Sequence, residues 1–196
     1  MSNLSVADAK SRLLSILRSK SVFHGDFTLA SGAKSNYYID CRLTTLDGEA
    51  AWLVGQVVST LIRDRANELG VAIKGVGGLT MGADPIALAT SMYSFRNNPA
   101  EPLQAFVVRK NPKSHGQTKL IEGNFKAGDK VVVIDDVVTK GDSTIAAIEA
   151  VKREGGDVAF VVVLVDRQQG GREKIEQMGY SVVSAFTKDD LLAQSK

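Results

Sequence analysis

Apolar positions recur along this chain with two different periods, and each switch between them marks an element. Leu13, Leu14, Ile16 and Leu17 stand at helical spacing behind a capping-box-like Ser5-Val-Ala-Asp8, predicting a first helix that ends near Ser19. Phe27-Thr-Leu29 and Tyr37-Tyr-Ile39 are short strand-like runs around the turn Ser31-Gly-Ala-Lys34, an antiparallel signal unlike anything downstream. They predict a small N-terminal hood over residues 1–45. From Gly48 the period is helical again, with Ala50, Val54, Val57, Leu61 and Ile62 on one face, Trp52 and Leu53 extending it as packing residues, and Gly70 as C-cap. A strand over Val71–Val76 then breaks into the glycine-rich Gly75–Gly82, and Asp84-Pro85 opens another helix. Leu103–Val108 reads as a strand. Arg109–Glu122 is polar and aperiodic, long for an internal connection, and is predicted to be a mobile lid or binding loop.

The second half alternates more cleanly. Lys130–Ile134 is a buried strand ending in the adjacent carboxylates Asp135 and Asp136. A Thr/Gly/Ser loop follows, then a helix with Ile145, Ile148 and Val151 on one side. Val158–Val165 is another buried strand, closed by Asp166-Arg-Gln-Gln-Gly-Gly171. A short helix to Met178, a strand over Tyr180–Ser184 and a Thr187-capped terminal helix complete the chain. Strands alternating with helices predict an α/β fold, a doubly wound parallel sheet over residues 46–196, forming a single domain with the hood. Its ligand crevice lies at the strands' carboxyl ends, where the loops near residues 77, 109, 135 and 166 converge.

Composition narrows the class. At 196 residues the chain can bury one sizeable core, and a net charge of +2 does not argue for nucleic acid. The lone Cys41 permits no internal disulfide and suits a reducing cytoplasm. His24 and His115 without a Cys/His cluster make a zinc site unexpected, and no apolar stretch is long enough to span a bilayer.

The candidate chemistry lies in Lys130–Thr144. A buried strand opening through a small-residue loop into a helix presents backbone N–H groups and the helix dipole to an anion. Two carboxylates beside a phosphate would repel it unless they face another part of the same ligand. A phosphorylated sugar, its hydroxyls on the acids and its phosphate on the loop, satisfies both halves. A Walker loop is excluded because Lys140 precedes Gly141 and Asp142 follows it. A dinucleotide fingerprint is excluded because Thr80 stands where the third glycine belongs. Gly75–Gly82 remains open between a strand-to-helix turn and a close approach to phosphate.

The stretch Val132-Val-Ile-Asp-Asp-Val-Val-Thr-Lys-Gly-Asp-Ser-Thr144 resembles the phosphoribosyl-diphosphate (PRPP) motif of the type I phosphoribosyltransferases. Phe27-Thr-Leu-Ala-Ser-Gly and Lys34-Ser-Asn-Tyr-Tyr-Ile-Asp40 resemble the N-terminal signature of the orotate phosphoribosyltransferase family. Arg109-Lys-Asn-Pro-Lys-Ser-His-Gly116 resembles its catalytic loop, and Val165–Gly171 its base-site loop. The resemblance implies the type I fold and the reaction of PRPP with orotate to give orotidine 5-monophosphate and diphosphate, with magnesium held mainly by PRPP and water. It implies that Asp135 and Asp136 meet the ribose hydroxyls and that Val137, Val138, Thr139, Lys140, Gly141, Asp142 and Ser143 wrap the 5-phosphate. Arg109, Lys110, Lys113 and His115 would meet the diphosphate, with Lys113 and His115 catalytic alongside the acidic pair. Thr139, Arg167, Lys34, Tyr37 and Tyr38 would bind orotate. A homodimer, with loop 109–122 reaching the neighbouring site, is implied in the same way. Two positions depart from the pattern: Ala30 and Met81 stand where many members carry lysines. The rival readings are a phosphoribosyltransferase for another base and a PRPP-sensing regulator. Arg167 and the Lys34–Asp40 segment weigh against the first. An intact set of loop cations and the lack of a DNA-binding extension weigh against the second.

Overall fold

A computed structural model describes residues 4–28, 32, 34–111 and 119–193. The first helix, α1 (Val6–Lys20), starts where expected: the Ser5 hydroxyl accepts the Asp8 N–H at 3.1 Å, and Ala9, Leu13, Ile16 and Leu17 are buried. Strands β1 (Val22–Thr28) and β2 (Lys34–Ile39) form a separate antiparallel hairpin, each strand starting earlier than the sequence pattern suggested. Helix α2 (Arg42–Thr45) then leads into α3 (Gly48–Leu69), which closes on Gly70 in the left-handed conformation (φ 63°). Trp52 packs edge-on against Tyr93 with ring centroids 5.3 Å apart, as a packing residue.

The main sheet has six strands in the order β5-β4-β3-β6-β7-β8. These are β3 (Gly75–Leu79), β4 (Gln104–Val108), β5 (Ile121–Gly123), β6 (Lys130–Val138), β7 (Asp157–Asp166) and β8 (Val182–Thr187). All neighbours run parallel except β5, which pairs antiparallel with β4 at the edge. Side-chain alternation divides the core between the two faces. Val132, Ile134, Phe160 and Val162 pack with α1, α3 and α4 (Ala83–Asn97). Val131, Val133, Val161 and Val163 pack with α5 (Asp142–Arg153) and α6 (Gly171–Gln177). Helix α7 (Lys188–Leu192) ends the described chain with a full capping box between Thr187 and Asp190.

Several boundaries differ from the sequence expectation, each for a local reason. Val71 is drawn into the end of α3, its N–H donating to Ala66 O at 3.0 Å, so strand pairing starts only at Gly75. The glycine-rich stretch is therefore largely strand. A Cβ on Gly77 would lie 2.2 Å from Phe106 O and one on Gly78 2.0 Å from Ile134 O, so the flanking strands approach too closely for a side chain. Strand β6 does not stop at the acids; it continues through Asp135 and Asp136 to Val138, still in register with β7. Helix α5 starts at Asp142, a turn before Ile145, and β8 lies two to three residues later than the apolar pattern placed it. The polar segment 109–122 re-enters the sheet at Ile121, a three-residue edge strand too short to show a period.

Candidate active site

The acidic pair occupies the carboxyl end of β6, and consecutive strand positions send its members to opposite faces. Asp135 is buried on the α5 side. Its Oδ2 accepts the Thr144 hydroxyl at 2.8 Å and its Oδ1 accepts the Asp136 N–H at 3.0 Å. Burial, and then the charge of Asp136, push its carboxyl up to about 7. Asp136 faces the turn between β3 and α4, where a Cβ on Gly82 would lie 2.5 Å from its Oδ1. That oxygen accepts the Val137 N–H at 2.9 Å. Burial pushes its carboxyl up too, opposed by hydrogen bonding with Asp135 and the Val137 N–H and then by the charge of Arg42. Two adjacent acids, both shielded from water, are destabilising alone and suit a ligand that donates hydrogen bonds to them.

Beyond the acids, the loop from Thr139 to Gly141 turns into α5. Gly141 sits at φ 81° as the N-cap, a conformation that favours glycine, and it brings no capping side chain. The first N–H groups of a twelve-residue helix are thus left for a ligand, the arrangement that binds phosphate. Gly171 supports the loop from behind. Its N–H donates to Thr139 O at 3.0 Å, and a Cβ there would lie 2.6 Å from that carbonyl. Lys174 on α6 donates to the exposed Asp142 carboxylate at 2.6 Å and holds it below its usual range, offsetting a negative charge beside the Thr139–Gly141 loop.

Arg167 follows β7, with its N–H on Val138 O at 3.0 Å. Its side chain is only 7% exposed and lies 5.4 Å from the Tyr37 ring centre. Nε and Nη2 are buried without a hydrogen-bond partner among the described residues. Asp166 does not supply one: its Oδ1 takes the Gln168 N–H at 2.7 Å, and its Oδ2 lies 3.9 Å from Arg172. A buried guanidinium with two open donors is costly unless a ligand completes it.

These groups border two adjoining cavities. The larger, about 760 Å³, is lined by the loop from Thr139 to Thr144, Phe27 and Thr28 of the hood, and Arg167. The smaller, about 310 Å³, lies between the chain from Tyr38 to Arg42, the turn from Leu79 to Gly82, and the acidic pair. Tyr38, Asp135, Val137, Thr139, Ser143 and Arg167 line both, so the two are halves of one cleft.

Most residues expected at the site converge there, with exceptions. Asp135, Asp136, Val137, Thr139, Lys140, Gly141, Asp142, Ser143, Arg167, Tyr38 and Lys110 all line the cleft. Val138 does not: its side chain is buried in the core on the α5 face and its carbonyl is taken by Arg167. Tyr37 stands behind Arg167, and Lys34 does not itself line the cavities but donates to Oγ1 of the lining residue Thr28 at 2.8 Å. Arg109 is turned to the sheet edge, 3.5 Å from Glu122, and does not line either cavity. Lys113, His115 and Ala30 lie outside the described residues. The sequence reading gave no role of their own to Thr144, Arg42 and Lys174. Each acts from a separate element on a residue already singled out, and no local pattern marks such a pairing.

Residues 89–186 match the family model of the phosphoribosyl transferase domain. The chain is 43% identical over 187 residues to the orotate phosphoribosyltransferase of Streptomyces coelicolor, covering 95% of this chain and 98% of that one. Among solved structures, the Mycobacterium tuberculosis orotate phosphoribosyltransferase in complex with Fe(III) dicitrate superposes with a TM-score of 0.79 at 39% identity, over 94% of this chain and 99% of that one. The same organism's enzyme in complex with PRPP gives a TM-score of 0.73 at 33% identity, over 94% and 92%.

Proposed function

The chain belongs to the orotate phosphoribosyltransferase family, and from that membership we propose how its cleft transfers the 5-phosphoribosyl group of PRPP to orotate, releasing diphosphate and forming orotidine 5-monophosphate on the way to UMP. The observation that carries the reading is Arg167: a buried guanidinium with two open donors, on the same cleft as an acidic pair and an uncapped helix start. A planar carboxylate such as that of orotate would fill the Arg167 fork bidentately. The 5-phosphate would lie on the N–H groups of α5, and the ribose hydroxyls would donate to Asp135 and Asp136.

The reaction displaces diphosphate at the anomeric carbon. The carbon–oxygen bond is largely broken before the base nitrogen bonds, so the sugar becomes cationic as the leaving group becomes more anionic. Asp135 and Asp136 then stabilise the ring while Lys110, with Lys113 and His115, meets the diphosphate. Thr139, at the junction of the two cavities, would touch both substrates. Hard carboxylate oxygens beside a polyphosphate suit magnesium, which uses one or two acids plus substrate oxygens and water. Among the described residues no group of three His, Cys, Asp or Glu could hold a metal ion. The ion would be held mainly by PRPP and water, with the acids left to the ribose hydroxyls, and would neutralise charge on the diphosphate.

Two further parts of the reading concern assembly and place. Leu88, Met92 and Phe95 form a stripe at helical spacing on α4, each about 58–60% exposed, a surface suited to a second copy of the chain. It supports a homodimer whose loop 109–122 serves the neighbouring cleft, with residues 1–45 acting as hood to the 46–196 core. The buried Cys41, its thiol pushed well up by burial, fits a cytoplasmic enzyme. Among the described residues, no helix is long and apolar enough to cross a membrane.

The test is to follow orotate absorbance with PRPP and magnesium, and to repeat it with hypoxanthine, guanine and uracil. Orotate consumption only in the complete mixture is expected. Turnover of another base alone, or of none, would overturn the assignment.

A further inference from the structure

The smaller half of the cleft has a charge problem: Asp40, Asp135 and Asp136 all line it, yet on the PRPP reading a diphosphate would settle among them. Its cationic lining among the described residues is Arg42, Lys110 and Arg167. Arg167 stands at the junction with the larger cavity, and Lys110 just beyond β4. The turn between β3 and α4 presents Met81, 62% exposed and without charge. The cation on the hood side is therefore Arg42, the first residue of α2.

Arg42 is held for this position. Its Nε and Nη2 each donate to Asp40 at 2.8 Å, one to each carboxylate oxygen, and its backbone N–H donates to Oδ1 at 3.1 Å. That fork leaves the Nη1 edge to the cavity side chains and solvent. A guanidinium clamped along one edge keeps its remaining donors in a fixed direction, which lowers the ordering cost of meeting a phosphate oxygen. Its side chain is 49% exposed, so the pair with Asp40 adds little to folding and its position calls for another explanation. Arg42 and Asp136 also favour each other's charged forms, which puts the guanidinium within electrostatic reach of the acids.

We propose that Arg42 is a substrate-binding residue whose guanidinium contacts the diphosphate of PRPP, on the wall where Met81 supplies no charge. The inference rests on the PRPP reading of the cleft. The test compares native protein with Arg42→Gln by calorimetric binding of PRPP, of diphosphate and of ribose 5-phosphate, and by kinetics with orotate. PRPP and diphosphate should bind about tenfold more weakly, while ribose 5-phosphate affinity and the KM for orotate stay within about twofold. Adding Met81→Lys to Arg42→Gln should restore part of the diphosphate affinity. The pair Asp40→Asn with Arg42→Gln, which removes the unpartnered carboxylate, should show the same loss as Arg42→Gln alone. Equal weakening of all three ligands, unchanged diphosphate affinity, or a loss cured by Asp40→Asn would overturn the proposal. Native protein that binds no PRPP would instead overturn the reading of the cleft itself, a result distinct from native turnover accompanied by an indifferent Arg42→Gln.

Discussion

The two walls of the cleft are built on opposite plans. One wall is a single run of chain: the end of β6, the loop from Thr139 to Gly141 and the start of α5 supply carboxylates, backbone N–H groups and Ser143 within a few residues. The other wall is assembled from distant pieces: Tyr38 to Arg42 of the hood, the Leu79–Gly82 turn, and Arg167 after β7. The contiguous wall depends on local geometry, so its parts rise and fall together. The assembled wall depends on packing between elements, so its residues should be separable by mutation. In the proposed reading the sugar phosphate falls to the first wall, and the base and diphosphate to the second.

The largest expected effect comes from breaking the contiguous wall. Asp135→Asn with Asp136→Asn replaces two charge-assisted acceptors and should lower kcat/KM for PRPP by about 10²–10⁴-fold, measured with orotate saturating. A loss below tenfold would mean the acids serve the sheet and not the sugar. On the assembled wall, Arg167→Ala should raise the orotate KM by about 10–100-fold while leaving the PRPP KM within a few-fold. Parallel loss of both substrates would show that the second wall is not separable after all.

A smaller effect reads the linkage across β6. Asp135 holds its proton more tightly when folded, up to about 7, so its contribution to stability is fully present below the ordinary carboxylate range and is lost progressively as pH rises to about 7. Asp135→Asn cannot lose a proton. Without ligand, its melting temperature minus that of the native protein should therefore grow by several degrees between pH 5 and pH 8. A difference that is flat or shrinks with pH would place the titration elsewhere.

What could be read from the chain tracks this same division. The β6–α5 wall was legible because the physics that makes it work acts within a dozen residues: a buried run, two acids, a glycine turn and a helix start. The parallel core was legible for a similar reason, since Val132 and Ile134 against Val131 and Val133 announce a strand buried on both faces. Glycines misled the reading at β3, because a rule that treats glycine as a breaker cannot see Phe106 O and Ile134 O closing on Gly77 and Gly78. Arg109 is a different case: its place in the loop motif fits a site residue, while its side chain lies 3.5 Å from Glu122 on the returning strand.

The sequence by itself determined the alternation of strands and helices, the caps at Ser5, Gly70 and Thr187, and the acidic strand end with the glycine turn and helix start that follow it. Each is a matter of local backbone preference or side-chain period, settled among near neighbours. Only the tertiary structure decided that Asp135 would be desolvated and bound by Thr144 while Asp136 faced Gly82, that Gly171 would brace Thr139, and that Arg167 would be buried with donors open beside Tyr37. Burial and the meeting of residues far apart in the chain depend on how whole layers pack, and no local pattern carries that information.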